Sequence, residues 1–168
     1  MFFNKFKRNT KLETSIAEIL KEHSLIVSVA ESCTGGLLSS RLTDVSGSSE
    51  YIRANFVTYS NDAKRALLDV REDTLKTYGA VSEQCAREMS EGLYRKTQAN
   101  IAIATTGIAG PTTDETNKPV GLVYVAITNR YKSTVQEFKF NPKYDRIRMK
   151  QEFTQAALQM LLDFLSIG

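Results

Sequence analysis

The residues best suited to chemistry are gathered in Glu31-Ser32-Cys33-Thr34-Gly35-Gly36. Hydroxyls flank a thiol there, and two glycines let the backbone approach a ligand closely. Placed between an apolar strand and a helix, such a segment offers N-terminal amides to an anion or to the oxyanion of acyl transfer. Ser, Thr and Gly are equally the residues of an ordinary helix cap, so the segment by itself leaves both uses open. A serine or cysteine nucleophile needs a base, and the single histidine, His23, falls near a helix end, where a helix-dipole role suits it better than catalysis. A Ser/Lys pairing is the remaining chemistry that uses neither metal nor histidine. Lys64 stands on the first turn of a predicted helix, directly after a strand able to lie beside the Ser32 strand. Burial and the positive helix end would both lower its pKa from about 10.4 and favour a neutral amine; a solvated surface lysine is the plain alternative. Arg146, read as lying in the second turn of the last helix, is disfavoured there unless an anion such as phosphate accompanies it. Lys150, one turn on, could share that anion, or both could belong to a solvated basic face with Lys143 and Arg148.

The elements that must position these residues follow from periodicity. Leu12, Ile16, Ile19 and Leu20 recur at helical spacing up to His23, and Leu25–Ala30 reads as a buried strand. A helical pattern resumes over Gly35–Leu42, Ser46-Gly47-Ser48-Ser49 breaks it, Tyr51–Tyr59 is rich in β-formers, and Asn61–Leu68 is again helical. A longer helix over Ser82–Lys96 puts Cys85, Met89, Gly92 and Leu93 on one stripe, which makes Cys85 a core residue, and Ile101–Ala104 reads as a second buried strand. After a loop over Gly107–Pro119, Leu122–Thr128 and Thr134–Phe140 form a hairpin through Asn129–Ser133. The last helix is expected to open at Asn141-Pro142, with Ile147, Phe153, Ala157, Met160, Leu161 and Phe164 as its buried stripe. Helices that alternate with apolar strands and a closing hairpin predict an α/β fold, a three-layer α/β/α sandwich with a mixed sheet. Ligands of such sheets collect outside the carboxyl ends of the strands, where Glu31–Gly36 and Thr105–Pro111 both fall.

The chain has 168 residues, 42% of them hydrophobic, enough for one domain with a real core, expected over 12–168 behind a mobile tail over 1–11. A net charge of +3 provides no nucleic-acid footprint, and the aromatic and basic residues of Met1–Lys11 have no apolar segment behind them that would make a targeting signal. Cys33 and Cys85 have no metal-ligand spacing and suggest a reducing cytoplasm. Neither a phosphate-binding G-x-x-x-x-G-K-[ST] loop nor, at Gly107-Ile108-Ala109-Gly110, a dinucleotide fingerprint is present.

Six blocks in order resemble the CinA C-terminal domain family: Ala30–Gly36, Thr43–Ser49, Phe56–Asn61, Gly79–Ser82, Thr106–Pro111 and Lys118–Gly121. The resemblance runs from about Leu12 to Phe164, without room for the family's molybdopterin-binding-like module. Stand-alone members are typically amidases that convert nicotinamide mononucleotide to nicotinate mononucleotide and ammonia in NAD recycling. The resemblance implies Ser32 as nucleophile and Lys64 as its base, with Ser49, Tyr59 and Thr106 lining the substrate site and Arg146 on the 5′-phosphate. The backbone of Cys33, Thr34 and Gly35 would hold the oxyanion. Cys33 is the rival nucleophile, ranked behind Ser32 because adjacent side chains cannot both face one pocket. No metal and no organic cofactor is implied, nor any nucleic-acid or membrane partner; a homodimer or higher homo-oligomer is. The rival reading is a catalytically silent ligand-binding or interaction module linked to competence or recombination. Three departures stand out: about two extra residues within Asn141–Tyr144, Thr112–Thr116 in place of a glycine-rich stretch, and Asn55 in place of a glycine, where tolerance of positive φ would make it harmless.

Overall fold

The computed structural model describes residues 11–167. Its order is α1 (Lys11–Glu22), β1 (Val27–Glu31), α2 (Leu37–Thr43), a 3-10 turn at Ser48–Glu50, β2 (Ile52–Val57), α3 (Asn61–Leu68), α4 (Glu72–Tyr78), α5 (Glu83–Thr97), β3 (Ile101–Gly107), β4 (Leu122–Asn129), β5 (Ser133–Lys139) and α6 (Arg146–Ser166). The expected tail falls outside the described residues except for Lys11, which opens α1. Among the described residues no helix is long and apolar enough to cross a membrane.

The strands lie in the order β2-β1-β3-β4-β5, with β1 parallel to both neighbours and β4 antiparallel to β3 and β5, so the sheet is mixed as expected. The two faces of the sheet differ in side-chain size. Val27, Val29, Ile101, Ile103, Val123, Val125 and Ile127 pack with Ile16 and Leu20 of α1, Leu38 and Leu42 of α2, and Phe153, Ala157 and Leu161 of α6. On the other face Ala30, Ala102, Ala104 and Ala126 are small and admit α5 through Cys85, Ala86, Met89 and Leu93. Strand alternation sends successive side chains to opposite faces, which is how one continuous apolar run serves both layers. Gly92 lets α5 meet the end of α3: a Cβ there would lie 1.8 Å from the Leu68 carbonyl oxygen. The expected stripe of α5, Cys85 included, is buried.

Three local expectations are corrected. The last helix does not open at Asn141-Pro142. Asn141 closes a turn by accepting from Lys143 N, and Asp145 is the N-cap, accepting from Arg148 N at 2.9 Å. Arg146 is therefore the first residue of α6 rather than part of its second turn, and Ile147 turns outward, 73% exposed, while Met149 takes the buried position. Asn55 does not adopt positive φ. It lies beside an irregular register of β1 against β2, and its Oδ1 accepts from Val29 N at 3.0 Å, so the side chain supplies an acceptor to the sheet. The segment 69–81, to which periodicity assigned nothing, contains α4, started by Glu72 and Asp73 in its first turn and ended at Gly79, whose φ is +79°.

Candidate functional site

At the carboxyl end of β1 the chain turns through Ser32–Gly36 before α2 begins at Leu37, with Gly35 and Gly36 both at positive φ. Three neighbours fix this turn. Ser32 N donates to Thr105 O of β3, Thr34 Oγ1 lies 2.9 Å from Thr105 Oγ1, and the carboxylate of Glu31 folds back under α2. Glu31 is fully buried and accepts from Gly36 N, Leu38 N and Ser39 N at 2.8–3.0 Å and from the Thr34 and Ser39 hydroxyls at 2.6 Å. A buried carboxylate on so many donors, at a positive helix end, is stabilised without a cationic partner. The amides of α2 are thereby occupied by the protein's own acid. Gly35 N is spent on Ser32 O, which corrects the expectation that Gly35 shares in holding an oxyanion; within the turn Cys33 N and Thr34 N are left without a backbone acceptor among the described residues.

Lys64 reaches this turn from α3. Ser60 caps that helix by accepting from Ala63 N, and β2 pairs parallel with β1, so the fourth residue of α3 comes to lie behind Ser32. The Lys64 side chain is 1% exposed, donates to Thr58 O at 2.9 Å, and has its Nζ 3.0 Å from Ser32 Oγ. Burial pushes its pKa below that of an ordinary lysine. No carboxylate pairs with it among the described residues, and the nearby thiols of Cys85 and Cys33 oppose that direction only in part. Ser32 itself is 9% exposed, which leaves its hydroxyl at the edge of solvent.

Cys33 points the other way. Its thiol packs in the core beside the α1, α2 and α6 layer, and burial pushes its pKa up to about 12, only partly offset by a hydrogen bond with Thr105. A thiol in that state supplies no thiolate at neutral pH.

The remaining expected residues divide into two groups. Arg146 and Tyr59 come together beside the turn: the guanidinium donates to Tyr59 Oη at 2.7 Å and to Gly110 O at 2.6 Å, which ties the loop after β3 to the residues after β2. Thr106 is close in sequence to that loop, but its hydroxyl donates to Ala80 O at 2.7 Å and anchors the approach to α5. Ser49 is exposed in the turn before β2. Because Val27 pairs with Ile52 and Glu31 with Val57, that turn is at the amino end of β1, on the order of 15 Å from Ser32 by strand rise. Within one chain the structure does not bring the expected site residue Ser49 to Ser32 and Lys64. His23 is exposed just past α1 and lines a separate cleft of about 550 Å³ with Tyr94, Arg130, Tyr131 and Phe164. Among the described residues no group of three His, Cys, Asp or Glu is placed to hold a metal ion.

Sequence reasoning named the segments that begin at Glu31 and Thr105 and the block that contains Thr58, but gave none of these three residues a role. An acid just before a helix is a signal that could have marked Glu31. Thr58 acts through its carbonyl and Thr105 through its backbone and hydroxyl, which no residue pattern discloses.

A mixed five-stranded α/β/α sandwich defines the fold, and known proteins share that fold. The family model of the CinA C-terminal domain matches residues 9–165, and the chain belongs to that family. A CinA-like protein of Chloroherpeton thalassium is 46% identical over 157 residues, covering 92% of this chain and 37% of that protein. A CinA-like protein of Chlorobium limicola is 45% identical over 160 residues, 94% of this chain and 37% of that one. The chain thus spans little more than a third of the length of the curated relatives it matches. The crystal structure of a competence-damaged protein (CinA) superfamily protein from Klebsiella pneumoniae aligns with a TM-score of 0.91 at 34% identity, over 96% of this chain and 100% of that chain. The competence/damage inducible protein CihA from Agrobacterium tumefaciens aligns with a TM-score of 0.84 at 41% identity, over 92% and 95%.

Proposed function

We propose that this domain is an amidohydrolase that converts nicotinamide mononucleotide to nicotinate mononucleotide and ammonia, acting in the recycling of NAD in the cytoplasm. One observation carries the reading: a buried lysine without a counter-ion, its pKa lowered, stands 3.0 Å from the hydroxyl of a serine at the solvent edge. Burying an ammonium group is costly, and a silent binding module would have no use for it.

In the proposed mechanism neutral Lys64 accepts the proton of Ser32, and Oγ attacks the amide carbon. The electron pair of the breaking C=O π bond moves to the oxygen, which Cys33 N–H and Thr34 N–H receive. Lys64, now protonated, passes its proton to the departing nitrogen, and the C–N bond breaks to release ammonia. A water, deprotonated by the same amine, then hydrolyses the acyl-enzyme. Arg146, beside Tyr59, takes the 5′-phosphate and holds the carboxamide in line; binding energy remote from the reacting bond is thereby used for orientation. The chemistry draws on side chains and backbone alone.

Ammonia release from nicotinamide mononucleotide, nicotinamide riboside and NAD tests this directly. Turnover is expected with the mononucleotide and much less with the riboside. An inert protein on all three, or full activity in Ser32→Ala, overturns it.

A further inference from the structure

Thr105 and Thr106 are adjacent on β3 and both buried, and strand alternation sends their side chains to opposite faces of the sheet. The hydroxyl of Thr106 is spent on Ala80 O. That of Thr105 goes to the serine turn. The parallel register sets Thr105 beside Glu31, the last residue of β1, so its backbone and its side chain both reach the residues that follow. Its carbonyl accepts from Ser32 N at 3.1 Å, and its Oγ1 lies 2.9 Å from Thr34 Oγ1.

Proton bookkeeping gives the hydroxyl pair a direction. A threonine hydroxyl has a single proton, and a carboxylate only accepts. Thr34 gives its proton to Glu31 Oε2 at 2.6 Å, so it can meet Thr105 only with a lone pair, and Thr105 is the donor of that bond. One residue therefore holds the turn on both sides of Cys33, at the amide of Ser32 before it and at the hydroxyl of Thr34 after it. The amides between these holds, Cys33 N and Thr34 N, are the ones left without a backbone acceptor among the described residues. Gly35 and Gly36 follow directly, both at positive φ, and glycine restrains the backbone least of all residues. The aim of the two free amides thus depends on side-chain bonds, and donors to an oxyanion act only when they are already in place.

We propose that Thr105 is a positioning residue: its hydroxyl, through Thr34, sets the amides of Cys33 and Thr34 where an oxyanion formed at Ser32 needs them, and it thereby acts on the chemical step and not on substrate affinity. The choice of substrate rests on the amidase reading; the positioning role is testable without a carboxamide, because any reagent that Ser32 attacks through a tetrahedral centre uses the same amides.

The experiment compares wild type with Thr105→Val, Thr105→Ser and Thr128→Val. Thr128 is the control, a buried threonine of β4 whose hydroxyl pairs with Ser90 at 2.7 Å, near the opposite end of β3. Ammonia release gives kcat and KM on nicotinamide mononucleotide. An alkyl fluorophosphonate gives the second rate, read by intact mass: Ser32 Oγ bonds to phosphorus, the P–F bond breaks, fluoride leaves and the serine proton passes to Lys64. Denaturant unfolding reports stability. In Thr105→Val both rates should fall about tenfold to a hundredfold while KM stays within about threefold of wild type. Thr105→Ser should restore most of both rates, and Thr128→Val should lose stability without losing kcat. Should Thr105→Val fail to fold, Thr105→Ala, which removes the same hydroxyl without adding a methyl group, must show the loss. The positioning role is overturned by rates within about twofold of wild type in the folded variant, by an equal loss of kcat in Thr128→Val, by no recovery in Thr105→Ser, or by a loss that appears in KM alone. Ammonia release that is indifferent to Thr105 sinks the positioning role alone. Phosphonylation of Ser32 that depends on Thr105, without ammonia from any carboxamide tested, sinks the amidase reading alone. A wild type inert in both assays sinks both.

Discussion

The starts of α2 and α6 lie close together and solve opposite electrostatic problems. At α2 the protein supplies its own anion: Glu31 fills the amides of Gly36, Leu38 and Ser39, and the helix end has nothing left to offer a ligand. At α6 the first turn holds no acid, Asp145 caps the amide of Arg148 with its side chain, and Arg146 and Lys150 have no charged partner among the described residues. The first arrangement is complete, which suits a turn proposed to hold a nucleophile to within a fraction of an ångström. The second leaves two cations whose charge no acid among the described residues balances. A glycine-rich turn before a helix is thus a poor guide to where an anion sits, because what matters is whether the amides are already taken.

The largest expected effect breaks the catalytic side of this contrast. Ser32→Ala and Lys64→Ala should each reduce ammonia release by at least about a thousandfold, and the double variant should lose scarcely more, since the two residues act as one unit. Single-turnover assays with nicotinamide mononucleotide check this; additive losses would count against a dyad. Next, Glu31→Gln should destabilise the fold by about 2–3 kcal/mol, because the new amide group turns donors toward N–H groups that need an acceptor. Denaturant unfolding measures it, and a change below about 0.5 kcal/mol would mean that the helix end is not dependent on this acid.

The pH dependence sharpens the comparison further. Since burial lowers the pKa of Lys64, kcat/KM should rise with pH along a single acid limb lying below the ordinary lysine range, and that limb should disappear with the dyad. The linkage has the same sign. Below its folded pKa the amine is protonated in both the folded and unfolded chain. Between that value and about 10.4 the unfolded chain holds the extra proton, so stability gained from this group rises with pH across the window. The stability of wild type relative to Lys64→Met should therefore increase from neutral pH toward pH 10, and a flat difference in chemical denaturation would exclude a shifted lysine. The smallest effect belongs to Cys33→Ala, which should keep turnover within about tenfold and cost about 1 kcal/mol of packing, since the thiol faces the core. Loss of all turnover in that variant, with activity kept in Ser32→Ala, would reverse the assignment of nucleophile.

Much of this was legible in the residues themselves. Apolar runs such as Val27–Ala30 and Ile101–Ala104 can be satisfied only by strands buried on both faces, and the stripe of Cys85, Met89 and Leu93 has a helical period, so the layers follow from local pattern. The serine turn and a lysine on a helix after the neighbouring strand could also be named from spacing. Their union could not, because Ser32 and Lys64 are 32 residues apart and meet only through the parallel register of β1 and β2. Tertiary structure also decided that Glu31 occupies the α2 amides, that Ser49 stands at the other end of the strand, that Thr106 is spent on Ala80 O, and that Lys150 lies over Gly35. Periodicity reports which face of an element is dry, whereas a hydrogen bond or an unpaired charge depends on what other elements bring to the same point, and that is set when the layers pack.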